Sequence, residues 1–314
     1  MAKTAEDLEN SRKIREEVLK KYGFIPSSVI EPDYEWGKDI IELDSRKQDT
    51  IGTEKQLKMS YNKITYMTAT GEEKSVNVPI KAFTSSGKNV RGKQGGLSTY
   101  PPDLCRFVVL FYSEENDNVL DPFAGHNSRM QVTYQLNRNY TGYDVCHEFM
   151  EFNRQVAIEI QGNGINKMLF NLNNNTITLR EQTSEKLVEE DNSIDMIHTS
   201  PPYGIEFYDD NPLQIGTNET YETMIKRLTT VLSECYRVLK KNKYCIWNVN
   251  DYRDKGIFRP FHADIIKAFQ EVNFKLHDVI IVKWKSSLAQ CFASQIEERK
   301  TTAKMHEYLI VGRK

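Results

Sequence analysis

Short apolar runs alternate with amphipathic segments from residue 99 to the end of the sequence. Seven of these runs have the length of buried strands: 118–123, 140–145, 176–181, 194–200, 244–249, 276–284 and 307–314. Residues 221–243 and 261–272 instead place apolar side chains at helical spacing. Strands that alternate with helices are typical of a mostly parallel sheet with helices on both faces. The pattern therefore predicts an α/β domain over residues 98–314.

Residues 1–97 have a different pattern. Residues 4–21 are rich in Glu, Lys, Arg and Leu and lack Gly and Pro, which predicts a surface helix. Residues 22–97 mix turn signals, one strand-like stretch and a basic loop with several glycines. We interpret residues 1–97 as an accessory region attached to the α/β domain.

Composition and charge restrict the class of protein. The formal net charge is -2 at pH 7, so binding of nucleic acid would need a local basic face. The cysteines form no Cys-x-x-Cys pair and have no clustered His partners, which favours reduced intracellular thiols and argues against a zinc site. No apolar run approaches the roughly 20 residues that span a bilayer, and the charged N-terminus is unlike a signal peptide. These features predict a cytoplasmic protein.

The first candidate site follows the strand predicted at 118–123, where Asp121–Gly125 reads DPFAG. Gly125 has no Cβ and lets the backbone approach a ligand, and the N–H groups at the following helix start can receive a carboxylate. Asp144 ends the next predicted strand, near the roughly 20-residue offset of a carboxylate that binds ribose hydroxyls. This combination predicts a pocket for an adenosine-type ligand.

The second candidate site is Thr199–Tyr203, with the sequence TSPPY, at the end of the strand predicted at 194–200. Because the carboxyl ends of parallel strands meet at one edge of a sheet, this segment is expected beside the first site. Its two consecutive prolines restrict the backbone and hold a carbonyl group in place. A chance proline-rich loop would not combine these features.

Together, DPFAG, Asp144 and TSPPY resemble the motifs of the DNA amino-methyltransferase family, over roughly residues 98–314. The resemblance implies a seven-stranded, Rossmann-like methyltransferase fold with S-adenosyl-L-methionine as the cofactor. It implies cofactor contacts for Thr99, Tyr100, Asp121, Pro122, Phe123, Gly125, Asp144, Gln182, Thr183 and Thr199. The continuation after Gly125, which reads HNSR, departs from the second glycine and small hydroxyl residues usual in the family. We expect His126 to line the pocket rather than to act as an acid or base.

The resemblance implies a catalytic role for Ser200, Pro201, Pro202 and Tyr203. The lone pair of an exocyclic amine is delocalised into the base ring, so the amine is a poor nucleophile until its geometry shifts toward tetrahedral. Ser200 Oγ and the Pro201 carbonyl can accept the two amine hydrogens and favour that shift. Tyr203 can stack on a base that has been swung out of the duplex.

The predicted activity is therefore site-specific methylation of a base amino group in DNA. A serine before Pro-Pro is more frequent among cytosine-N4 enzymes of the family, so we favour cytosine N4, with adenine N6 as the alternative. An RNA base-amino methyltransferase and a catalytically inactive DNA-binding relative stay open as further alternatives. The resemblance also implies a prokaryotic or phage-type intracellular protein and allows a cognate restriction endonuclease as a partner.

Target recognition must lie outside the stretch between the two motifs, which holds no long insert. Candidate segments are 22–97, 204–220 and 283–304. The basic residues expected to contact double-stranded DNA are Lys88, Arg91, Lys93, Lys285, Arg299 and Lys300.

Overall fold

The computed structural model describes residues 5–22, 25–31, 61–67, 73–79, 100–161, 175–204, 211–284 and 293–314. The strands of these residues are β1 Val29–Ile30, β2 Tyr61–Met67, β3 Glu73–Pro79, β4 Asn118–Asp121, β5 Asn139–Asp144, β6 Ile177–Glu181, β7 Ile194–Thr199, β8 Leu239–Val249, β9 Tyr252–Asp254, β10 Ile257–Arg259, β11 Lys275–Lys283 and β12 His306–Arg313. The helices are α1 Ala5–Tyr22, α2 Pro102–Tyr112, α3 Ser128–Gln135, α4 His147–Gln161, α5 Tyr221–Val238, α6 Phe261–Glu271 and α7 Ala293–Arg299.

One mostly parallel sheet organises the described residues. Its strand order is β1-β11-β12-β8-β7-β4-β5-β6, and β12 alone runs antiparallel to its neighbours. All seven strands predicted from the sequence lie in this sheet, which confirms the Rossmann-like methyltransferase fold. The predicted number of strands was too low, because Val29–Ile30 adds an eighth, parallel strand beside β11.

Helices cover both faces of the sheet, as the alternating pattern predicted. The apolar residues of α5 that recur at helical spacing are all buried against one face: Met224, Leu228, Val231, Leu232, Cys235 and Val238. On the other face, α2 buries Leu104, Phe107 and Val108. Each of these helices therefore buries an apolar stripe against the sheet, which is covered on both faces.

Parts of the N-terminal region pack on this sheet. β1 pairs with β11, and the Tyr22 ring at the end of α1 meets Phe111 of α2 edge-on, with ring centroids 5.7 Å apart. β2 and β3 form a separate antiparallel pair. The helix predicted at 4–21 is therefore present as α1, whereas the domain boundary expected after residue 97 stays a prediction. Within the described ranges, no helix combines the length and apolar character that crossing a membrane requires.

Candidate active site

The two candidate motifs lie side by side at one edge of the sheet. β4 ends at Asp121 and β7 ends at Thr199, and these parallel strands are hydrogen-bonded neighbours, with Leu120 opposite Ile197. β5 and β8 flank the pair, so the loops after four adjacent strands meet at this edge. Ligands of open α/β sheets bind outside the carboxyl ends of the strands. The structure thus brings the predicted cofactor and catalytic segments together.

Asp121 is fully buried, and its carboxylate connects the two motifs. Oδ1 accepts a hydrogen bond of 2.6 Å from Thr199 Oγ1, and Oδ2 accepts one of 2.9 Å from the Tyr140 hydroxyl. Oδ2 also lies 2.7 Å from Arg129 Nε, in an ion pair that is almost wholly excluded from solvent. A buried carboxylate needs such donors, because it has lost its hydration. Asp121 therefore fixes the DPFAG loop after β4 (the cofactor loop) and the neighbouring strand β7 to each other.

Arg129 holds the loop that follows β4. Its Nη2 donates to the carbonyl of Phe123 at 2.6 Å and to that of Ala124 at 3.2 Å, and the guanidinium lies 4.9 Å from the ring centroid of Tyr100. Burial opposes the positive charge, but the Asp121 carboxylate together with Tyr140 and Tyr100 outweighs burial and raises the pKa of Arg129. The cation is permanent, and it holds the two loop carbonyls in one arrangement.

Gly125 adopts a left-handed backbone conformation, with φ +49°. A Cβ on Gly125 would lie 3.9 Å from the Phe123 carbonyl oxygen and, apart from its chain neighbours, would meet no other heavy atom of the described residues within 4 Å. Its N–H donates to Asp144 Oδ2 and its carbonyl accepts from Asn153 Nδ2, both at 2.8 Å. The loop is therefore fixed while the space beside Gly125 stays open, which fits a cofactor that needs close approach to the backbone.

Asp144 is half-buried at the end of β5, where the sequence placed the ribose-binding carboxylate. Oδ1 accepts from the Cys146 N–H at 2.8 Å, and Oδ2 accepts from the Gly125 N–H. Burial raises the pKa of Asp144 to about 6, and the two backbone donors only partly oppose this. At neutral pH the carboxylate is mostly ionised, and each oxygen keeps a lone pair for a hydroxyl donor.

The residues after β6 were predicted to contact the cofactor. Gln182 and Thr183 are both half-buried there. The Thr183 hydroxyl accepts from the Glu185 N–H at 3.2 Å and donates to the Glu185 carboxylate at 3.1 Å, so it stabilises its own turn. Glu181, the last residue of β6, is ion-paired with Arg154 of α4 at 2.7 Å. The acidic side chain at this strand end is therefore engaged with a helix.

The TSPPY segment leaves the sheet directly after β7. Its first and third residues, Thr199 and Pro201, are buried, whereas Ser200, Pro202 and Tyr203 are half-buried. Gly204 follows Tyr203 and has φ +68°. It packs closely against Gly216, since a Cβ on Gly216 would lie 2.6 Å from Gly204 Cα. This backbone contact fixes the chain just beyond the motif.

Tyr203 stands in a cluster of aromatic rings. Its ring centroid is 5.8 Å from that of Tyr252 and 5.3 Å from that of Phe261, and Tyr221 lies 6.5 Å from both of these rings. Edge-to-face and tilted contacts of this kind are the preferred arrangements of aromatic pairs. The Tyr203 ring is therefore positioned before any ligand arrives, which reduces the entropy lost when a planar group stacks on it.

His198, the strand residue before Thr199, forms a buried polar pair with Tyr100. The Tyr100 hydroxyl and His198 Nε2 are 2.9 Å apart, and His198 Nδ1 is 3.9 Å from Cys105 Sγ. Burial, together with the Arg129 cation, depresses the pKa of His198 well below its usual value. The imidazole is neutral at physiological pH, and Tyr100, which was expected to contact the cofactor, holds its hydroxyl against this ring.

His126 is also neutral. Its ring packs beside Phe149, with centroids 4.8 Å apart. Burial and the Arg129 cation lower the pKa of His126 to about 4. A group with this pKa is a weak base at neutral pH, which agrees with the expectation that His126 does not act as an acid or base; that it lines the pocket stays a prediction.

Several predicted contacts fall outside the described residues: Thr99, Lys88, Arg91, Lys93 and Lys285. Arg299 and Lys300 are described and exposed at the end of α7. Lys300 is ion-paired with Glu297. Contact of these residues with DNA stays a prediction.

Three residues that hold the site were not predicted. Arg129 and Tyr140 bind Asp121, and Asn153 binds Gly125. Of the three, only Arg129 has a signal in the sequence. A cation in a buried helix needs a carboxylate partner, and Asp121 lies just upstream of Arg129. Tyr140 and Asn153 look like ordinary strand and helix residues.

The sequence of this chain matches a known protein family. The sequence model of the DNA methylase family, which covers N6 and N4 methyltransferases, matches residues 10–155 and 194–314. The chain belongs to this family. The matched ranges contain both motifs, whereas the unmatched residues 156–193 contain β6 and the turn with Gln182 and Thr183.

Curated relatives of this chain include two type II methyltransferases. The type II beta methyltransferase M.BslI of Bacillus sp. (strain NEB-606) is 31% identical over 81 residues, which make up 26% of this chain and 9% of that protein. M.MjaVI of Methanocaldococcus jannaschii is 34% identical over 91 residues, which make up 28% of this chain and 44% of that protein. The chain thus spans less than half the length of each of these relatives.

Solved structures that match part of the chain include a SAM-dependent methyltransferase from Methanosarcina mazei. It superposes with a TM-score of 0.45 at 14% identity, over 69% of this chain and 99% of that chain. A putative DNA modification methylase from Thermus thermophilus is 23% identical with a TM-score of 0.31, over 40% of this chain and 47% of that chain.

Proposed function

We propose that this DNA methylase transfers a methyl group from S-adenosyl-L-methionine to the exocyclic amino group of a base in double-stranded DNA. The observation that carries the proposal is the hydrogen bond between Thr199 and Asp121, because it holds the cofactor loop and TSPPY against each other. S-adenosyl-L-methionine is the cofactor expected for the family, and when bound it supplies an electrophilic methyl group on a sulfonium. The residues of this chain then have to bind it, present the amine and exclude water.

The cofactor is assigned to the loops after β4, β5 and β6. Open space beside Gly125 supports close approach of the backbone, and the ionised Asp144 can accept from ribose hydroxyls. The adenine end is assigned to the half-buried Gln182 and Thr183. The other residues assigned to this pocket are Thr99, Tyr100, Asp121, Pro122, Phe123 and Thr199. In this assignment Asp121 and Thr199 act mainly by positioning the loop.

The amine is assigned to the start of the TSPPY loop. Ser200 Oγ and the Pro201 carbonyl accept the two amine hydrogens and make the nitrogen lone pair available. Pro202 restricts the backbone so that the Pro201 carbonyl cannot turn away, and Tyr203 stacks on the extruded base. The lowered pKa values of His126 and His198 make both imidazoles weak bases, which supports a mechanism without a strong base.

Cytosine N4 is the favoured target, because Ser200 stands before Pro-Pro. Adenine N6 is the alternative, since either amine presents the same two hydrogens. The deciding experiment is to express the full chain in cells without their own base methylases, digest the DNA to nucleosides and analyse it by mass spectrometry. We expect N4-methylcytosine, which should disappear in a Ser200→Ala variant. N6-methyladenine would change the target base, and sequencing of the modified DNA would map the site.

Two other functions give different results in the same experiment. An RNA base-amino methyltransferase would leave DNA unmodified and would transfer labelled methyl groups to RNA. A catalytically inactive relative would bind the cofactor and modify neither nucleic acid. The fixed loop and the prepared Tyr203 favour an active enzyme, because a protein that only binds DNA has no need for either.

Contacts with DNA are assigned to basic residues on two parts of the chain. Residues 1–97 are treated as an accessory region with a role in recognition, and they include Lys88, Arg91 and Lys93. Residues 98–314 form the catalytic domain, with Lys285, Arg299 and Lys300 near its last strands. The proposal places the protein in a reducing cytoplasm of prokaryotic or phage type, which the four buried free thiols of the described residues support. A cognate restriction endonuclease is compatible with it.

A further inference from the structure

A short hairpin leaves the sheet between β8 and α6. β9 and β10 pair antiparallel, with Arg253 opposite Phe258, and are joined by Lys255 and Gly256. Both turn residues have positive φ, 46° and 84°. A two-residue turn of this kind closes a tight hairpin whose twist matches that of its strands. The hairpin therefore has a defined shape, although every residue from 253 to 258 is exposed.

The base of the hairpin belongs to the active site. The Tyr252 ring contacts Tyr203 of TSPPY at a centroid distance of 5.8 Å. Across the hairpin, the Arg259 guanidinium lies 4.5 Å from the ring centroid of Tyr221, which belongs to the same aromatic cluster. The element thus starts beside the residue proposed to stack on the target base.

The tip of the hairpin carries two large apolar side chains in water. Ile257 is 57% exposed and Phe258 is 48% exposed. Because both side chains are exposed, they do not form a hydrophobic core for the hairpin. A two-stranded hairpin is only marginally stable by itself. These two adjacent side chains lie beside the aromatic cluster of the site, where a bound partner can cover them.

Basic groups surround this tip. The Arg253 guanidinium lies 5.4 Å from the Phe258 ring centroid, and Lys255 is exposed at the turn. The acidic side chains nearby are Asp254 and Glu222, which lie 3.8 Å and 3.9 Å from Arg259. Arg259 therefore balances the acids near the base, while Arg253 and Lys255 leave the outer part of the hairpin positive. This charge complements a phosphate backbone.

We infer that the hairpin Tyr252–Arg259 inserts into the duplex beside the target base, with Ile257 and Phe258 occupying the space that the base leaves in the stack. The inference rests on the proposed function, which requires a base to leave the helix and reach Tyr203. Apolar side chains stabilise such an opened step by filling it. The strand register puts Ile257 on the same face as Tyr252 and Phe258 on the opposite face beside Arg253, so the two side chains meet the stack from the two faces of the inserted hairpin. Arg253 and Lys255 contact the flanking phosphates.

The test uses the full chain with the double substitution Ile257→Ser/Phe258→Ser. The matched control is Ile158→Ser/Val188→Ser, which removes two apolar side chains that are 62% and 56% exposed elsewhere on the surface. The probe is a duplex oligonucleotide that contains the mapped methylation site. One version has the target base correctly paired, and the other has it opposite a mismatch, which makes extrusion easier. Cofactor affinity and the thermal unfolding midpoint are measured for every variant.

We expect the hairpin variant to lose at least about tenfold in kcat/KM on the paired duplex and to recover most of it on the mismatched duplex. The control should match the wild type on both. Wild-type activity of the hairpin variant on the paired duplex would overturn the inference, and so would an equal loss on both duplexes, which is what a fold defect gives. A wild-type protein that methylates neither duplex would refute the proposed function itself, and the hairpin's role with it.

A second variant tests the phosphate contacts independently. Arg253→Gln/Lys255→Gln should weaken duplex binding and lower the slope of log affinity against log salt by about one for each phosphate that the protein no longer neutralises. An unchanged salt slope would overturn the assignment of these residues to DNA and would favour a protein partner for the tip.

Discussion

Thr199 and Asp121 are joined by a 2.6 Å hydrogen bond, although 78 residues separate them in the sequence. Thr199 begins TSPPY, and Asp121 begins DPFAG, so the bond sets the spacing between the segment proposed to present the base and the segment proposed to hold the cofactor. Both side chains are buried, and neither can exchange its partner for water. Reaction rates depend steeply on such spacing, because a displacement of about 1 Å can cost about a hundredfold.

Replacing Thr199 by Val tests this link. Asp121 loses one donor but keeps Arg129 and Tyr140, so we expect the free energy of unfolding to fall by about 1–2 kcal/mol. Turnover should fall at least about tenfold, because Ser200 is no longer held in register with the cofactor loop. Urea unfolding and transfer of labelled methyl groups to DNA measure the two effects. Thr230→Val is the control, since the Thr230 hydroxyl bonds the Lys226 carbonyl on the exposed side of α5. Normal turnover of Thr199→Val would show that the bond only stabilises the fold.

Gly125 and Gly256 form a matched pair for testing the cofactor loop. Both have positive φ, 49° and 84°, and an added Cβ would clash with no described protein atom at either position. Each Gly→Ala substitution should therefore destabilise the fold by about 1–2 kcal/mol through backbone strain. Only Gly125→Ala fills the space proposed for the cofactor, so only this variant should lose affinity for S-adenosyl-L-methionine, measured by calorimetry. Equal cofactor affinity in both variants would contradict the proposed pocket.

The strand pattern allowed the core of the fold and the meeting of the two motifs to be predicted. Each motif follows a buried apolar run, and parallel strands bring their ends to one edge, so DPFAG and TSPPY had to lie close together. Family resemblance then supplied the cofactor. The observed geometry at Gly125 and Asp144 agrees with a cofactor pocket. It could be predicted because it depends on the residues of the local turns and not on distant contacts.

Features that depend on long-range contacts could not be predicted. Val29–Ile30 is too short to show an alternating pattern and becomes a strand because β11 offers a free edge. The helix predicted over 221–243 ends at Val238, since Leu239 already pairs with Ile194 of β7 and Lys240 reaches Asp195 at 2.8 Å. Such tertiary contacts override local helix propensity.

The pKa of Asp144 gives cofactor binding a pH dependence. It is about 6 in the folded protein, above the ordinary value of 3.8. A carboxyl group with a raised pKa binds its proton more tightly in the folded state, so it favours folding most below pH 3.8 and loses that contribution as the pH rises to about 6. Cofactor affinity should change with pH in the opposite direction. It should rise with pH, because ribose hydroxyls donate best to the ionised form of Asp144.

Affinity for S-adenosyl-L-methionine should therefore be full above about pH 7 and should weaken as the pH falls through about 6. Calorimetric titrations from about pH 5 to about pH 8 measure this dependence. Asp144→Asn should bind weakly at every pH and show a flat profile over the same range. A wild-type profile as flat as that of the variant would mean that Asp144 does not contact the cofactor.

Tyr203 and Asp144 should separate catalysis from cofactor binding. Base–aromatic stacking contributes about 1–3 kcal/mol per base, so Tyr203→Ala should lower kcat/KM on duplex DNA by about 5- to 150-fold while cofactor affinity stays near that of the wild type. Tyr203→Phe keeps the ring among Tyr252 and Phe261 and should stay close to wild-type activity.

Asp144→Ala should give the reverse result, a large loss of cofactor affinity with turnover largely restored at saturating cofactor. Steady-state kinetics at varied cofactor and DNA concentrations, with calorimetry for the cofactor, distinguish the two patterns. If each variant lost both properties equally, neither role would stand. Selective loss would show that the two halves joined by the Thr199–Asp121 bond carry different steps, one presenting the base and the other holding the cofactor.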